Sequence, residues 1–413
     1  MSNRRRPMPP RLRGLPMPAD PLSRRTLLRG MSAGALALAG GGLLSACGTE
    51  GATQTAESCK STDLSRTEKT LNFSNWPLYI DEASMNRDGQ QVTLNPTLDR
   101  FQKQTGIQVD YVADVNDNHE FFGIVRNQLA ACEPTGRDIF VLTDYMAARM
   151  VDLGWIQQLD PANIPNVEAN MVDTLKSPPW DPDRTHSVPW QSGLTGIAYN
   201  SELTKEVRSF DELLTRPDLK GRVSLLSEMQ DTMIFMLLLV GADPEDFSDD
   251  EFGQAIDRLQ QVVDAGQVRA FTGNEYAQDL VRGNVVAAEA WSGDVIQLQF
   301  DNPNIKFVAP EEGLSLWSDN MLVPNKATHK ANAEKLMNYY YDPAVAAELA
   351  AWVNFICPVK GAQEEMTKID PSLAENPLIF PDDAMLADTF DFMTLTSQQE
   401  QDYQSQFASV IGA

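Results

Sequence analysis

The sequence predicts an α/β fold with room for two lobes, and three observations carry that prediction. The chain is 413 residues long, enough for two separate cores. Between residues 71 and 142 apolar runs alternate in the order β-α-β-α-β, which implies a parallel sheet. Aromatic rings and carboxylates recur just past the strand ends, where open α/β sheets hold their ligands.

Taken in order, residues 71–76 form a first strand, with Trp76 and Tyr79 at and beyond its end. Asn95 and Pro96 open a helix as N-cap and first-turn proline, and Gly106 closes it. Residues 107–112 alternate as a strand, 119–131 carry Phe122, Val125 and Leu129 at helical spacing, and 137–142 read as a buried strand followed by Thr143 and Tyr145. A Pro-, Asn- and Asp-rich connection covers 160–182. Two extended segments follow at 187–190 and 194–199, the second placed as a crossing between lobes. The strand at 222–227 is followed by Glu228, Gln230 and Asp231, then by an apolar helix at 232–240 and an amphipathic one at 252–265. Residues 284–291 form a strand ending in Trp291-Ser292-Gly293-Asp294, 305–309 another, and 320–323 a short strand closed by the Pro324-Asn325 turn. Helices at 331–341 and 342–353 come next, the second with Asp342 as N-cap and Pro343 in its first turn.

Trp317 and Asp319 stand at the entrance of that short strand. Residues i and i+2 of an extended chain point to one side, so a ring and a carboxylate can face one site together. The ring attracts cations through its quadrupole, and the carboxylate accepts charge-assisted hydrogen bonds from ammonium. Taken singly, each ring fits a packed core residue and each acid a helix cap. Five such addresses (Trp76, Tyr145, Glu228 with Asp231, Trp291, Trp317 with Asp319) on one side of α/β units favour a shared cleft for a cationic ligand.

The N-terminus reads as an export signal. Arg24-Arg25 sits in a twin-Arg pattern, an apolar stretch at 31–44 is too short to span a membrane, and Leu44-Ser45-Ala46-Cys47 resembles a lipobox whose Cys47 would be lipidated. Gly30-Met31-Ser32-Ala33-Gly34 fits the G-x-S-x-G pattern, but no strand precedes it, so no nucleophile elbow is expected. Eight of the 33 basic residues and one of the 58 acids precede Cys47. Removal of that segment leaves 25 bases against 57 acids, about −32, which disfavours nucleic acid and favours approach of cations.

Other chemistry finds no motif. His119, His186 and His329 lack metal-ligand spacing, His119-Glu120 lacks the second His of a zinc protease, and no P-loop or dinucleotide fingerprint occurs. No catalytic residue, metal site or cofactor is therefore expected. Beyond Cys47, the three thiols Cys59, Cys132 and Cys357 allow one disulfide and one leftover in an oxidising compartment; Cys132–Cys357 is one possibility, and the sequence does not choose.

Several segments, in this order, resemble those of the extracytoplasmic spermidine/putrescine-binding proteins of ABC importers, in their lipoprotein form. They are Asn75-Trp76-Pro77-Leu78-Tyr79, residues 138–145, residues 187–200, residues 220–226, Trp291-Ser292-Gly293-Asp294 and Trp317-Ser318-Asp319-Asn320. The resemblance implies a two-lobed periplasmic-binding-protein-like fold, with a ligand cleft between lobes and a hinge of crossing strands. The expected divisions are a signal at 1–46, a flexible tether at 47–67, a first lobe of 68–195 plus 318–361, and a second of 196–317 plus 362–413. By motif, Trp76, Tyr79 and Tyr145 match cleft aromatics and Thr143 takes the place of a Ser. Trp291 and Trp317 match rings that sandwich a methylene chain, Asp319 matches an amine-holding carboxylate, and Phe355 stands where a Tyr is common. Glu228 and Asp231 lie in the region of the other carboxylates, although strict alignment puts Met229 and Thr232 on those positions. The implied partners are a polyamine, a membrane permease of an ABC transporter, and the membrane itself through a lipid on the outer face. Alternatives are another small solute (another amine, a sugar or a metal chelate) or an exported hydrolase.

Overall fold

The computed structural model describes residues 59, 61–87 and 90–412. The twin-Arg pattern, the G-x-S-x-G match and Cys47 lie outside the described residues. Among those described, the strands are β1 (Thr70–Asn75), β2 (Ala83–Arg87), β3 (Gln90–Leu94), β4 (Gln108–Ala113), β5 (Ile139–Thr143), β6 (Ser187–Asn200), β7 (Val223–Leu226), β8 (Val268–Thr272), β9 (Ala287–Trp291), β10 (Ile305–Val308), β11 (Leu314–Leu322) and β12 (Thr389–Phe390). One sheet runs in the order β4-β1-β5-β11-β6-β9-β7-β8, with β10 on β6 and β12 on β11; β2 and β3 form a separate hairpin.

The expected α/β architecture is present as two lobes that share this sheet. At one end β4, β1 and β5 are parallel, at the other β9, β7 and β8 are parallel, and β11 and β6 run antiparallel between them. Each wing has its own core. The first gathers Leu71, Phe73, Phe101, Phe140, Trp190 and Met321; the second gathers Ile197, Val223, Phe235, Phe252 and Phe407. β6 therefore starts in one core and ends in the other, which makes it a crossing strand.

Local signals explain many boundaries. Pro96 opens the helix Pro96–Thr105, and Gly106 ends it at φ 73° with its N–H on the Gln102 carbonyl. Asp342 caps Pro343–Val353 through the amides of Ala344 and Val345. The apolar run at 232–240 lies in the helix Met229–Val240, which packs into the second core as its brevity implied. Among the described residues no helix is long and apolar enough to cross a membrane.

Several expectations need correction. The two extended segments between 187 and 199 are one strand, buried along its length. Pairing with β11 shifts between Asp319 and Asn320, where Gln191 is followed by Pro189 as partner. Trp190 is thus the extra residue of a bulge, which absorbs a proline in a central strand and sends the indole into the first core. β11 begins at Leu314, so Trp317 and Asp319 are mid-strand rather than at an entrance. The lobe boundary expected between 361 and 362 does not fall there. Helices Ala362–Ile369 and Pro371–Ala374 bury Ala362, Met366 and Ala374 in the first core with Ile379, and Phe392 and Met393 are the first to reach the second. The amphipathic 362–369 helix finds its apolar partner in the first lobe, so the lobe boundary moves from 361 to beyond 379.

The tether expected to reach residue 67 is docked over its described residues, 59 and 61–67. Leu64 N–H donates to the Thr328 carbonyl at 2.7 Å, and Asp63 and Ser65 accept from the amides of Ala331 and Asn332. Those amides open the helix Lys330–Tyr340, whose N-cap His329 supplies no side-chain cap. The polar residues that read as a linker are its cap. Cys59 pairs with Cys132, Cα to Cα 5.3 Å, while Cys357 is buried as a free thiol, so the Cys132–Cys357 pairing is not formed.

Candidate functional site

A cleft of about 930 Å³ opens between the lobes, and Trp76, Tyr79, Thr143, Tyr145, Glu228, Asp231, Trp291, Trp317, Asp319 and Phe355 all line it. Four strand ends deliver most of them. β1 runs into Trp76 and Tyr79, β5 into Thr143 and Tyr145, β7 into Glu228 and Asp231, and β9 ends on Trp291. The parallel wings present their carboxyl ends to the cleft, as the address rule for such sheets requires. β11 is different: it delivers Trp317 and Asp319 from mid-strand because it crosses the floor between the wings.

The rings form a connected wall. Trp291 and Trp317 meet edge to face at 6.5 Å between centroids, Trp317 and Phe355 lie 5.6 Å apart, and Phe355 meets Tyr79 at 5.2 Å. Two glycines make room for it. A Cβ on Gly193, the β6 partner of Trp317, would overlap the indole, and one on Gly293 would meet the Phe355 ring at 2.6 Å. The Trp76 indole is turned by its hydrogen bond to the Val141 carbonyl, 3.1 Å.

The carboxylates are held by neutral donors. Thr143 Oγ1 donates to Asp319 Oδ1 at 2.7 Å; Thr195 Oγ1 and Trp291 Nε1 donate to Asp231 at 2.5 and 3.3 Å; Tyr276 Oη donates to Asp294 at 2.7 Å. The Tyr79 hydroxyl faces Asp319 but is buried with no hydrogen-bond partner at bonding geometry among the described residues. Among those residues no Lys or Arg comes within ion-pair distance of Glu228, Asp231, Asp294 or Asp319. Burial therefore pushes the Asp319 carboxyl up to about 7 and those of Asp231 and Asp294 to about 6, and it raises Glu228 well above the usual carboxylate range. Arg184, half-buried, also lines the cleft, but it faces Asp144 and donates to Asn320 Oδ1 at 2.7 Å. Asp144 is itself pushed up to about 6 by burial.

Uncompensated carboxyls beside aromatic faces favour a ligand that brings its own positive charge. Each ring in contact contributes roughly 0.5–2 kcal/mol of cation–π attraction, depending on desolvation. Met229 and Thr232, which strict alignment put at the carboxylate positions, turn into the second lobe. Met229 is fully buried, and Thr232 Oγ1 lies within hydrogen-bond distance of Glu289, at 2.7 Å, and of the Leu226 carbonyl. Glu228, Gln230 and Asp231 are the cleft residues of that turn.

Sequence reasoning missed Asn118 and Thr195. Asn118 lines the cleft, accepts from Thr143 N–H at 3.1 Å and donates to Thr143 Oγ1 and Glu228. It follows β4 at the same kind of strand-end address as the others, so the rule could have found it. Thr195 is a buried strand residue with no signal to separate it from core.

Comparison with known proteins gives a consistent result. A family model described as bacterial extracellular solute-binding protein matches residues 97–381. The chain is 26% identical over 340 residues to spermidine/putrescine-binding periplasmic protein 1 of Haemophilus influenzae, covering 82% of this chain and 87% of that one. It is 28% identical over 339 residues to a putrescine-binding periplasmic protein of Escherichia coli, covering 77% and 85%. Among solved structures, a putative spermidine/putrescine ABC transporter protein from Listeria monocytogenes superposes with a TM-score of 0.72 at 25% identity, covering 83% of this chain and 99% of that one.

Proposed function

The chain belongs to the bacterial extracellular solute-binding protein family, and from that premise we propose that its cleft captures a polyamine outside the cytoplasm for delivery to an ABC transporter permease. The observation that carries this reading is the pairing of Asp231 and Asp319, carboxyls without a partner cation, with the Trp291–Trp317 wall. Ammonium groups meet the carboxyls, which offset the cost of stripping water from them. The methylene chain between them lies against the indoles. The names of the relatives and the acidic chain support the same ligand class.

In this reading Trp76, Tyr79, Thr143, Tyr145 and Phe355 complete the cleft, and the protein performs no chemistry on its ligand. Export follows the twin-Arg signal, and a lipid on Cys47 holds the chain at the outer face of the membrane. The lobes close by rotation about β6, β11 and the crossing beyond residue 379, with a few backbone positions absorbing the change.

Calorimetry against spermidine, putrescine, amino acids and sugars tests the reading. Saturable binding of a polyamine with no heat from the sugars is the expected result. A sugar or a neutral amino acid binding more tightly than either polyamine would overturn it.

A further inference from the structure

Two carboxylates of the second lobe reach across the mouth of the cleft to donors of the first. Glu228 accepts from Asn118 N–H at 2.9 Å, from Asn118 Nδ2 at 3.2 Å and from the Tyr145 hydroxyl. Glu400 meets His119 Nε2 at 2.7 Å and Arg149 at 3.9 Å, and Gln230 of its own lobe lies 3.5 Å from both its oxygens. The receiving groups come from helices Asn118–Ala130 and Asp144–Asp152. The two contacts are joined, because the His119 and Tyr145 rings stack at 5.7 Å. Glu400 belongs to the C-terminal helix Ser397–Ile411, which is seated on the second core by Tyr403, Phe407 and Val410 and lies beyond the segment the family model matches.

Both carboxylates are buried, at 5% exposure each. A buried acid that merely capped or solubilised its own helix would not need partners on another lobe. Separating the lobes would strip Glu228 of three donors and Glu400 of two, leaving Glu400 only the long contact to Gln230. We propose that Glu228 and Glu400 form an interlobe clasp that stabilises the closed form and slows ligand release. Glu228 then works in closure and leaves the ammonium groups to Asp231 and Asp319. The second part of this inference rests on the polyamine reading; the clasp itself rests only on the two-lobed architecture.

The test uses the full chain with spin labels at Gln104→Cys and Asp257→Cys, exposed positions on the first and second lobes. Interlobe distances are measured without ligand and with spermidine, for the otherwise unchanged chain, Glu400→Ala, His119→Ala and the double variant. Each single variant is expected to lower the closed fraction and to speed spermidine release about tenfold, because truncating one member of a buried charged contact acts mainly on dissociation. The double variant should fall no further than the singles, as coupled partners are not additive. Unchanged distances in both folded singles, or fully additive losses, would overturn the clasp. A role for Glu400 confined to its own helix predicts a lower melting temperature with unchanged distances, which also overturns it. If Glu400→Ala fails to fold, His119→Ala decides alone. Failure of the polyamine reading registers separately, as distances and heats that spermidine shifts in none of the proteins, and the ligand-free comparison still decides the clasp.

Discussion

Trp317 donates its indole N–H to the Thr195 hydroxyl at 2.9 Å, and that hydroxyl donates onward to Asp231 at 2.5 Å. A ring on β11 and a carboxylate beyond β7 are thereby tied through one buried threonine of β6. The orientation of the aromatic wall and the placement of a negative charge are a single arrangement, and disturbing either should disturb both.

Asp319→Asn keeps size and hydrogen-bonding capacity while removing the charge. If the ligand is cationic, affinity should fall by about 3–5 kcal/mol, less where water enters. Trp317→Leu should weaken binding by a smaller amount, since Leu retains apolar area but lacks the quadrupole. Asp294→Asn, whose carboxyl is taken by Tyr276, should have the least effect. Calorimetry on folded variants ranks them, and unchanged affinity in Asp319→Asn would sink the amine site.

The raised carboxyls set a pH dependence whose sign is fixed. Asp319 and Asp231 ionise near 7 and 6 in the folded chain, against an ordinary 3.8. Between about pH 4 and 7 the folded chain therefore binds more protons than the unfolded one. Its stability without ligand should fall as pH rises through that window. Affinity for spermidine should rise over the same range, with protons released on binding. Melting curves at several pH values would check this, and the slope should be shallower in Asp319→Asn.

Gly193→Ala should weaken binding without unfolding the chain. The added methyl overlaps the Trp317 ring, and overpacking of this kind costs about 1–3 kcal/mol. The readout is affinity together with tryptophan fluorescence, which should shift as the indole is displaced. A variant with normal affinity and spectrum would show that the ring has room elsewhere.

Removing the Cys59–Cys132 bond by Cys132→Ser should lower the unfolding free energy by about 4 kcal/mol on loop-closure grounds, given a sequence separation of 73. Polyamine affinity should be retained, because neither cysteine lines the cleft. Denaturant melts and calorimetry on the same preparation separate the two effects.

Cys47→Ala should abolish lipidation and release the protein from the membrane fraction or leave an uncleaved precursor. Mass spectrometry of the wild-type N-terminus checks the premise directly. An unlipidated mature terminus at another residue would refute the anchor.

Much of the cleft was legible in the sequence because strand ends are local features. An apolar run, its length and the residues just past it are all readable within a dozen positions, and these place Trp76, Tyr145, Glu228, Asp231 and Trp291 at the carboxyl ends of parallel strands. Local signals also marked the Pro96 and Asp342 helix starts and the Gly106 stop. What the sequence left open depended on partners distant along the chain. The i, i+2 spacing put Trp317 and Asp319 on one side of the chain, but their mid-strand position follows from β5 and β6 pairing on either side of β11, and no local pattern encodes neighbours 122 and 176 residues away. The same holds for the 362–369 helix, whose apolar face suits either core, and for Cys59, whose partner was set by the docking of a polar segment against the 330–340 helix. Residue type and periodicity are properties of a short stretch. Which core a face joins, and which charge goes unpaired, are properties of the assembled chain.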